Sequence, residues 1–221
     1  MLVATQRFTA LATLVGRIYA GYKWLQWTGA RGEPLARQHR RSADAAYALA
    51  IRVEGLPIKV CQFLGSRADV LPAEYVEVLA RLQDRVPPRP LATFQPMLRR
   101  ELGRPPEEVF AALDPVPLAS ASLAQVHRGR LHDGREVAVK MQYPEIERIV
   151  RIDLRSFSLL VGALARLEPR FDFRVLIDEV EKYVPLELDF VHEADNAERM
   201  AECLRARSDV LVPAVVRAAS S

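Results

Sequence analysis

Residues 136–142 constrain this chain more than any other stretch. They read Glu-Val-Ala-Val-Lys-Met-Gln, and their side chains alternate. Val137, Val139 and Met141 face one way; Glu136, Ala138, Lys140 and Gln142 face the other. A period of two is the mark of a strand with one buried face. A second β-leaning run, residues 121–130, comes before it, and His132-Asp133-Gly134 lies between the two. An Asp-Gly pair between such runs is a strong hairpin signal. The surrounding sequence is helical in pattern, so the expected fold class is α+β.

From Ala43 to Leu113 the helical pattern is cut by prolines into short pieces. Gly55 and Pro57 mark a break, and Pro72 opens a helix whose apolar face is Tyr75, Val76, Leu79 and Leu82. Pro87, Pro88 and Pro90 stop it. A further helix is expected over residues 91–102, ended by Gly103 and Pro105-Pro106. After the hairpin, Pro144 opens a helix with Ile146, Val150, Leu154, Phe157, Val161 and Leu164 on one stripe. A second helical stretch, Asp172 to Arg205, contains Pro185, which should kink or divide it. Val210–Val216 reads as a last strand. The resulting division is residues 1–42, 43–112 and 113–221.

The chain of 221 residues is 50% hydrophobic and 27% charged, which excludes a disordered chain or a disulfide-stapled miniprotein. Cys61 and Cys203 form neither a metal-ligand pair nor a disulfide framework, so a reducing, cytoplasmic setting is expected. Residues 1–60 carry nine Lys/Arg against three Asp/Glu, a net of +6 within a chain of net +3. A cationic front suits an anionic surface. Phe8–Trp27 reads as an amphipathic helix, with Leu11, Leu14, Val15, Ile18 and Tyr22 at helical steps. It either lies on the inner face of a membrane as a peripheral contact through residues 8–27 or packs on its own protein. No transmembrane helix or signal peptide is expected. Arg31–Arg41 reads as a basic, solvated loop; without interleaved aromatics it does not indicate a nucleic-acid partner.

Lysine is scarce. Of 31 basic residues only Lys23, Lys59, Lys140 and Lys182 are lysines, so a retained lysine hints that a compact ammonium is wanted. Lys140 ends the Val-Ala-Val-Lys strand, which resembles the strand whose lysine binds nucleotide phosphates in protein kinases. The hairpin's entry, Pro117 to His127, is rich in small residues that let backbone N–H groups approach a phosphate. Such a lysine needs a carboxylate, and Glu193 is the candidate. Asp189 and Glu193, four apart, would share a helix face, while Glu187 and Asp189 form an acidic pair that could approach magnesium through oxygen ligands.

Together these segments resemble the atypical kinase-like family called ABC1, UbiB or AarF. Its Lys-x-Gly-Gln signature reads here Lys59-Val60-Cys61-Gln62, followed by 69–72 and 82–88. The alanine-rich loop is Pro117–His127, the strand Val137–Lys140, and the acidic motif Glu187-Leu188-Asp189-Phe190 with Glu193 after it. The resemblance implies a helical extension packed on a kinase-like N-lobe. It implies that Lys140, paired with Glu193, and Ala119, Ser120, Ala121 and Ser122 bind the phosphates of ATP with Mg2+, and that Lys59 and Gln62 reach toward the same pocket as a regulatory extension. Glu187 and Asp189 would serve extension contact or metal and nucleotide selectivity. The setting implied is isoprenoid quinone (ubiquinone) or lipid metabolism. Cys61 stands where the signature has glycine.

The sequence contains no His-x-Asp catalytic loop and no Asp-Phe-Gly site, and its four histidines show no metal spacing. No catalytic residue and no protein metal site is therefore assigned. Whether it is an enzyme is left open. The expectation is a nucleotide-binding portion with the C-lobe absent, inactive without a separate C-lobe polypeptide. The alternative is a non-catalytic membrane- or partner-binding module retaining a relic lobe.

Overall fold

The computed structural model describes residues 2–69, 71–83, 86–169 and 174–221; Val70, Asp84 and Arg85 of the extended signature, and Asp172, lie outside the described residues. The elements run α1 (Leu2–Thr28), α2 (Glu33–Val53), α3 (Leu56–Gly65), α4 (Ala73–Leu79), α5 (Gln95–Leu102), α6 (Pro106–Val109), β1 (Phe110–Ser120), β2 (Ala124–Leu131), β3 (Glu136–Gln142), α7 (Ile146–Leu167), α8 (Arg174–Leu186) and α9 (Phe190–Cys203). The fold class is α+β. Two compact units form it, one from Met1–Pro87, Ser120–Ser122 and Glu145–Glu181, the other from Pro88–Ala119, Leu123–Pro144 and Lys182–Ser221.

The helical unit is built on a core of Ala50, Ile58, Cys61, Leu79, Leu82 and Val86, with Tyr47, Leu64 and Tyr75 packed against it. Positive φ at Glu54 and Gly55 turns the chain sharply between α2 and α3. Arg7 pins that turn. Its guanidinium donates to the carbonyls of Val53 and Glu54 and, in a fork, to Asp153 of α7 at 2.7 and 2.5 Å. Asp153 is 1% exposed; burial raises its carboxyl above the usual range, against the pull of Arg7. The stripe of α7 packs on α1 and α3, so this helix belongs with the helical unit although residues 113–221 were expected to form one lobe.

Of the two readings of α1 the structure takes one, and a second expectation changes. The apolar stripe of α1 (Leu11, Leu14, Val15, Ile18, Tyr22) is half-buried, and α1 packs on α2 and α7, as the reading of a helix packed on its own protein has it. The basic segment 31–41 is a loop only as far as Gly32. Pro34 stands in the first turn of α2, where its missing N–H costs nothing, and the Arg, Ala and Gln that follow are good helix formers.

In the other unit the sheet order is β1-β2-β3, and β2 and β3 pair antiparallel with Val126 opposite Lys140 and Ala124 opposite Gln142. The Asp133-Gly134 turn closes that hairpin, with Gly134 at φ 90 and its N–H donating to Leu131 O. Strand β1 is a correction. It runs from Phe110 through most of what read as a small-residue loop, leaving only residues 121–123 as the turn into β2. Pro115 and Pro117 hide it, because proline demotes a run unless the strand lies at a sheet edge, as β1 does. Val109, Phe110 and Leu131 form a small core with Val137, Val139 and Val216. Val210–Val216 is not a strand. It runs without a ladder, and Pro213 removes one of the donors a ladder needs.

Candidate nucleotide-phosphate site

Alternation along β3 sets the site's first wall. Met141 is buried while Lys140 stands on the opposite, exposed face, with Gln142 two residues on. The second wall is the start of α9. Pro185 lies in the last turn of α8; the chain turns, and α9 begins after Asp189. Gln142 Nε2 donates to Leu188 O at 2.5 Å, which ties this turn to β3. Lys140 Nζ then donates to both oxygens of Glu193, at 2.6 and 2.5 Å, and lies 4.6 Å from the centroid of the Phe190 ring. The side chains of Lys140 and Glu193 are 41% and 54% exposed, so the pair is open to water and to a ligand. An ammonium has three N–H donors. Two are directed at Glu193, which leaves the third for an anionic oxygen.

Asp189 stands one turn before Glu193, whose N–H donates to Asp189 O at 3.1 Å. Asp189 is the N-cap: its Oδ1 accepts from His192 N–H at 2.8 Å, a first-turn donor that the helix itself leaves without a partner. Glu193 lies within the first turn, where the helix dipole favours a carboxylate. Glu187 and Asp189 are exposed. Among the described residues no three His, Cys, Asp or Glu side chains gather as a metal site. A Mg2+ bound together with a nucleotide requires only one or two carboxylates besides phosphate oxygens, and these two side chains are of the type it would use.

Of the small-residue segment, Ala119 and Ser120 end β1, Ala121 and Ser122 make the turn, and Ser122 is buried. Leu123 O accepts from Tyr143 N–H at 3.1 Å, which holds the entry to β2 against the end of β3. Below this lies a buried network that the sequence reading did not single out. Gln125 clamps the backbone of Arg89, accepting its N–H and donating to its carbonyl at 2.9 Å each. Its amide also donates to His127 Nε2 at 2.7 Å, and His127 Nδ1 donates to Asp114 O at 2.7 Å. Both side chains are fully buried. Polar residues on the inward positions of a strand are the signal that would have flagged them.

Lys59 and Gln62 belong to the helical unit. They are one turn apart on α3 and both half-buried; Gln62 Nε2 donates to Leu82 O at 2.9 Å. Cys61 fits the helical core, and burial pushes its thiol up to about 12. The close helix–backbone approach falls instead at Gly65, where a Cβ would come within 3.0 Å of Ala80 N and Leu79 C.

The model of the ABC1 atypical kinase-like domain matches residues 81–221. AarF domain-containing protein kinase 1 of Mus musculus is 40% identical over 177 residues, 80% of this chain and 34% of the relative. The probable serine/threonine-protein kinase abkD of Dictyostelium discoideum is 34% identical over 219 residues, 97% of this chain and 32% of the relative. Among solved structures, Rv3197 of Mycobacterium tuberculosis, determined in complex with erythromycin, is 33% identical with a TM-score of 0.52, over 83% of this chain and 47% of that one. The chain spans about a third of the length of these curated relatives.

Proposed function

Because the chain belongs to the ABC1 atypical kinase-like family, we propose that its sheet-bearing unit is a nucleotide-binding lobe for ATP with Mg2+. The observation that carries this reading is the Lys140–Glu193 pair, an oriented ammonium on an open strand face. Glu193 holds the ammonium in place, and Lys140 neutralises charge on the nucleotide's phosphates. Backbone N–H groups of residues 119–122 would cover those phosphates. Glu187 and Asp189 would lie on the metal side, and Lys59 and Gln62 would act as the regulatory extension. These residues bind; phosphoryl transfer also needs a base to orient the acceptor and metal-holding carboxylates, which a kinase takes from its catalytic lobe. The family resemblance extends the proposal to isoprenoid-quinone or lipid metabolism at a membrane, and the cysteine usage extends it to a reducing, cytoplasmic setting.

The test is calorimetric titration of the full chain with Mg-ATP. Saturable binding that Lys140→Ala abolishes is the expected result. No binding by the wild type, or equal binding by the variant, overturns the reading.

A further inference from the structure

Two polar side chains stand on the inward face of β2, and neither belongs to the proposed phosphate site. Gln125 and His127 are each 0% exposed. Buried polar groups are costly unless their donors and acceptors are matched. A carbonyl can only accept, so Asp114 O takes the proton of His127 Nδ1–H at 2.7 Å. An amide nitrogen can only donate, so His127 Nε2 accepts from Gln125 Nε2 at 2.7 Å. The amide's other proton goes to Arg89 O, and its oxygen accepts Arg89 N–H. The imidazole is thereby held neutral, in one tautomer.

A second proton on His127 breaks more than one bond. It sets an N–H against the Gln125 NH2, donor against donor. Turning the amide over lets its oxygen accept from the imidazolium. That oxygen then faces Arg89 O, and the NH2 faces Arg89 N–H, so both bonds to Arg89 are lost for one gained. The charged neighbours are committed elsewhere. From β1, the Asp114 carboxylate accepts Val116 N–H. The Arg89 guanidinium, itself a cation, lies 4.5 Å from the centroid of the Tyr143 ring. Phe94 meets the imidazole edge-on at 6.2 Å, and Val139 stands opposite it on β3.

The same contacts lead to the residues that would cover the phosphates. Asp114 lies on β1, which ends in Ala119 and Ser120. Phe94 also packs on Tyr143, at 5.8 Å, and Tyr143 N–H donates to Leu123 O, next in sequence to the covering segment 119–122. His127 thus holds β1 directly, and the entry to β2 through Arg89 and Tyr143.

We propose that His127 is a positioning residue for the nucleotide site and its proton sensor. The neutral imidazole keeps the covering segment in its binding arrangement; a second proton releases Arg89 and weakens the hold on Mg-ATP. The effect on Mg-ATP rests on the nucleotide reading, whereas the opening of the Arg89 clamp does not.

The test combines amide exchange of the full chain, corrected for its intrinsic pH dependence, with calorimetric titration by Mg-ATP in excess Mg2+. Both run between about pH 8 and pH 5.5, where an open imidazole takes up its proton. In the wild type, protection at Arg89 and affinity should both fall toward acid, by up to about tenfold per pH unit for one linked proton. His127→Asn keeps a side-chain N–H for Asp114 O but cannot titrate, so both curves should be flat. Gln125→Glu supplies a carboxylate that accepts from the imidazolium, so its curves should rise toward acid where those of the wild type fall. Circular dichroism checks that each variant folds. Undiminished Arg89 protection in the wild type, or an equal slope in His127→Asn, overturns the sensor. Lost protection with unchanged affinity overturns its link to the site. No Mg-ATP binding at any pH overturns the nucleotide reading and that link with it, and exchange at Arg89 then decides the clamp alone.

Discussion

If Lys140 serves a ligand rather than the fold, removing it should be cheap for stability and ruinous for nucleotide binding. Its ion pair with Glu193 is about half exposed, and exposed pairs are worth about 0.2–1 kcal/mol. The Phe190 ring below it adds about 0.5–1 kcal/mol at such a site. Lys140→Met should therefore cost about 1 kcal/mol, or roughly 3 °C in Tm for a chain of this size. Mg-ATP at about a hundred times its Kd should stabilise the wild type by about 2.7 kcal/mol. The ligand effect thus exceeds the mutational cost. Differential scanning fluorimetry with and without Mg-ATP reads both at once, and the exchange Lys140→Glu with Glu193→Lys serves as control. The exchange should recover the small stability loss but not the nucleotide shift, because the ammonium has moved to α9. Two results would refute the reasoning: a nucleotide shift that survives Lys140→Met, or a stability loss above about 3 kcal/mol, the range for breaking a buried pair.

Arg7→Ala should cost about 3–5 kcal/mol in urea unfolding, because it strands the buried Asp153 carboxylate. Without Arg7 the carboxyl, already raised by burial, takes its proton at higher pH still; the variant's deficit should be full at neutral pH and shrink as pH falls through that raised range. Gly65→Ala should lose about 1–2 kcal/mol despite alanine's better helix propensity, since the added Cβ meets backbone that packing holds in place; the denaturation midpoint checks this. Gln125→Leu removes three buried hydrogen bonds and should cost at least about 2 kcal/mol, with amide exchange accelerated at Arg89.

The hairpin was readable because its signals are local. Alternation over 136–142 and an Asp-Gly turn lie within a dozen residues, and the structure follows them. Strand β1 was obscured by its own prolines, whose meaning depends on the strand lying at an edge, a tertiary fact. The α1 stripe shows the same limit. Its period predicts a buried face, but no period says whether lipid or α2 and α7 bury it. Asp153 lay on the expected α7 face beside apolar neighbours, and its partner Arg7 is 146 residues away. Nothing in either segment announces the other.

The acidic run before α9 shows where local chemistry could have been pressed further. Glu187, Asp189 and Glu193 look alike in composition. They differ in where the helix begins. An aspartate after a proline-divided helix and before an apolar residue is a strong N-cap candidate, and reading Asp189 that way commits its oxygen to His192 N–H. Glu193 then falls one turn inside the helix. Resemblance to a family named the right carboxylate for Lys140, but helix capping explains why it is that one: the cap occupies Asp189, and the first turn presents Glu193 to the strand.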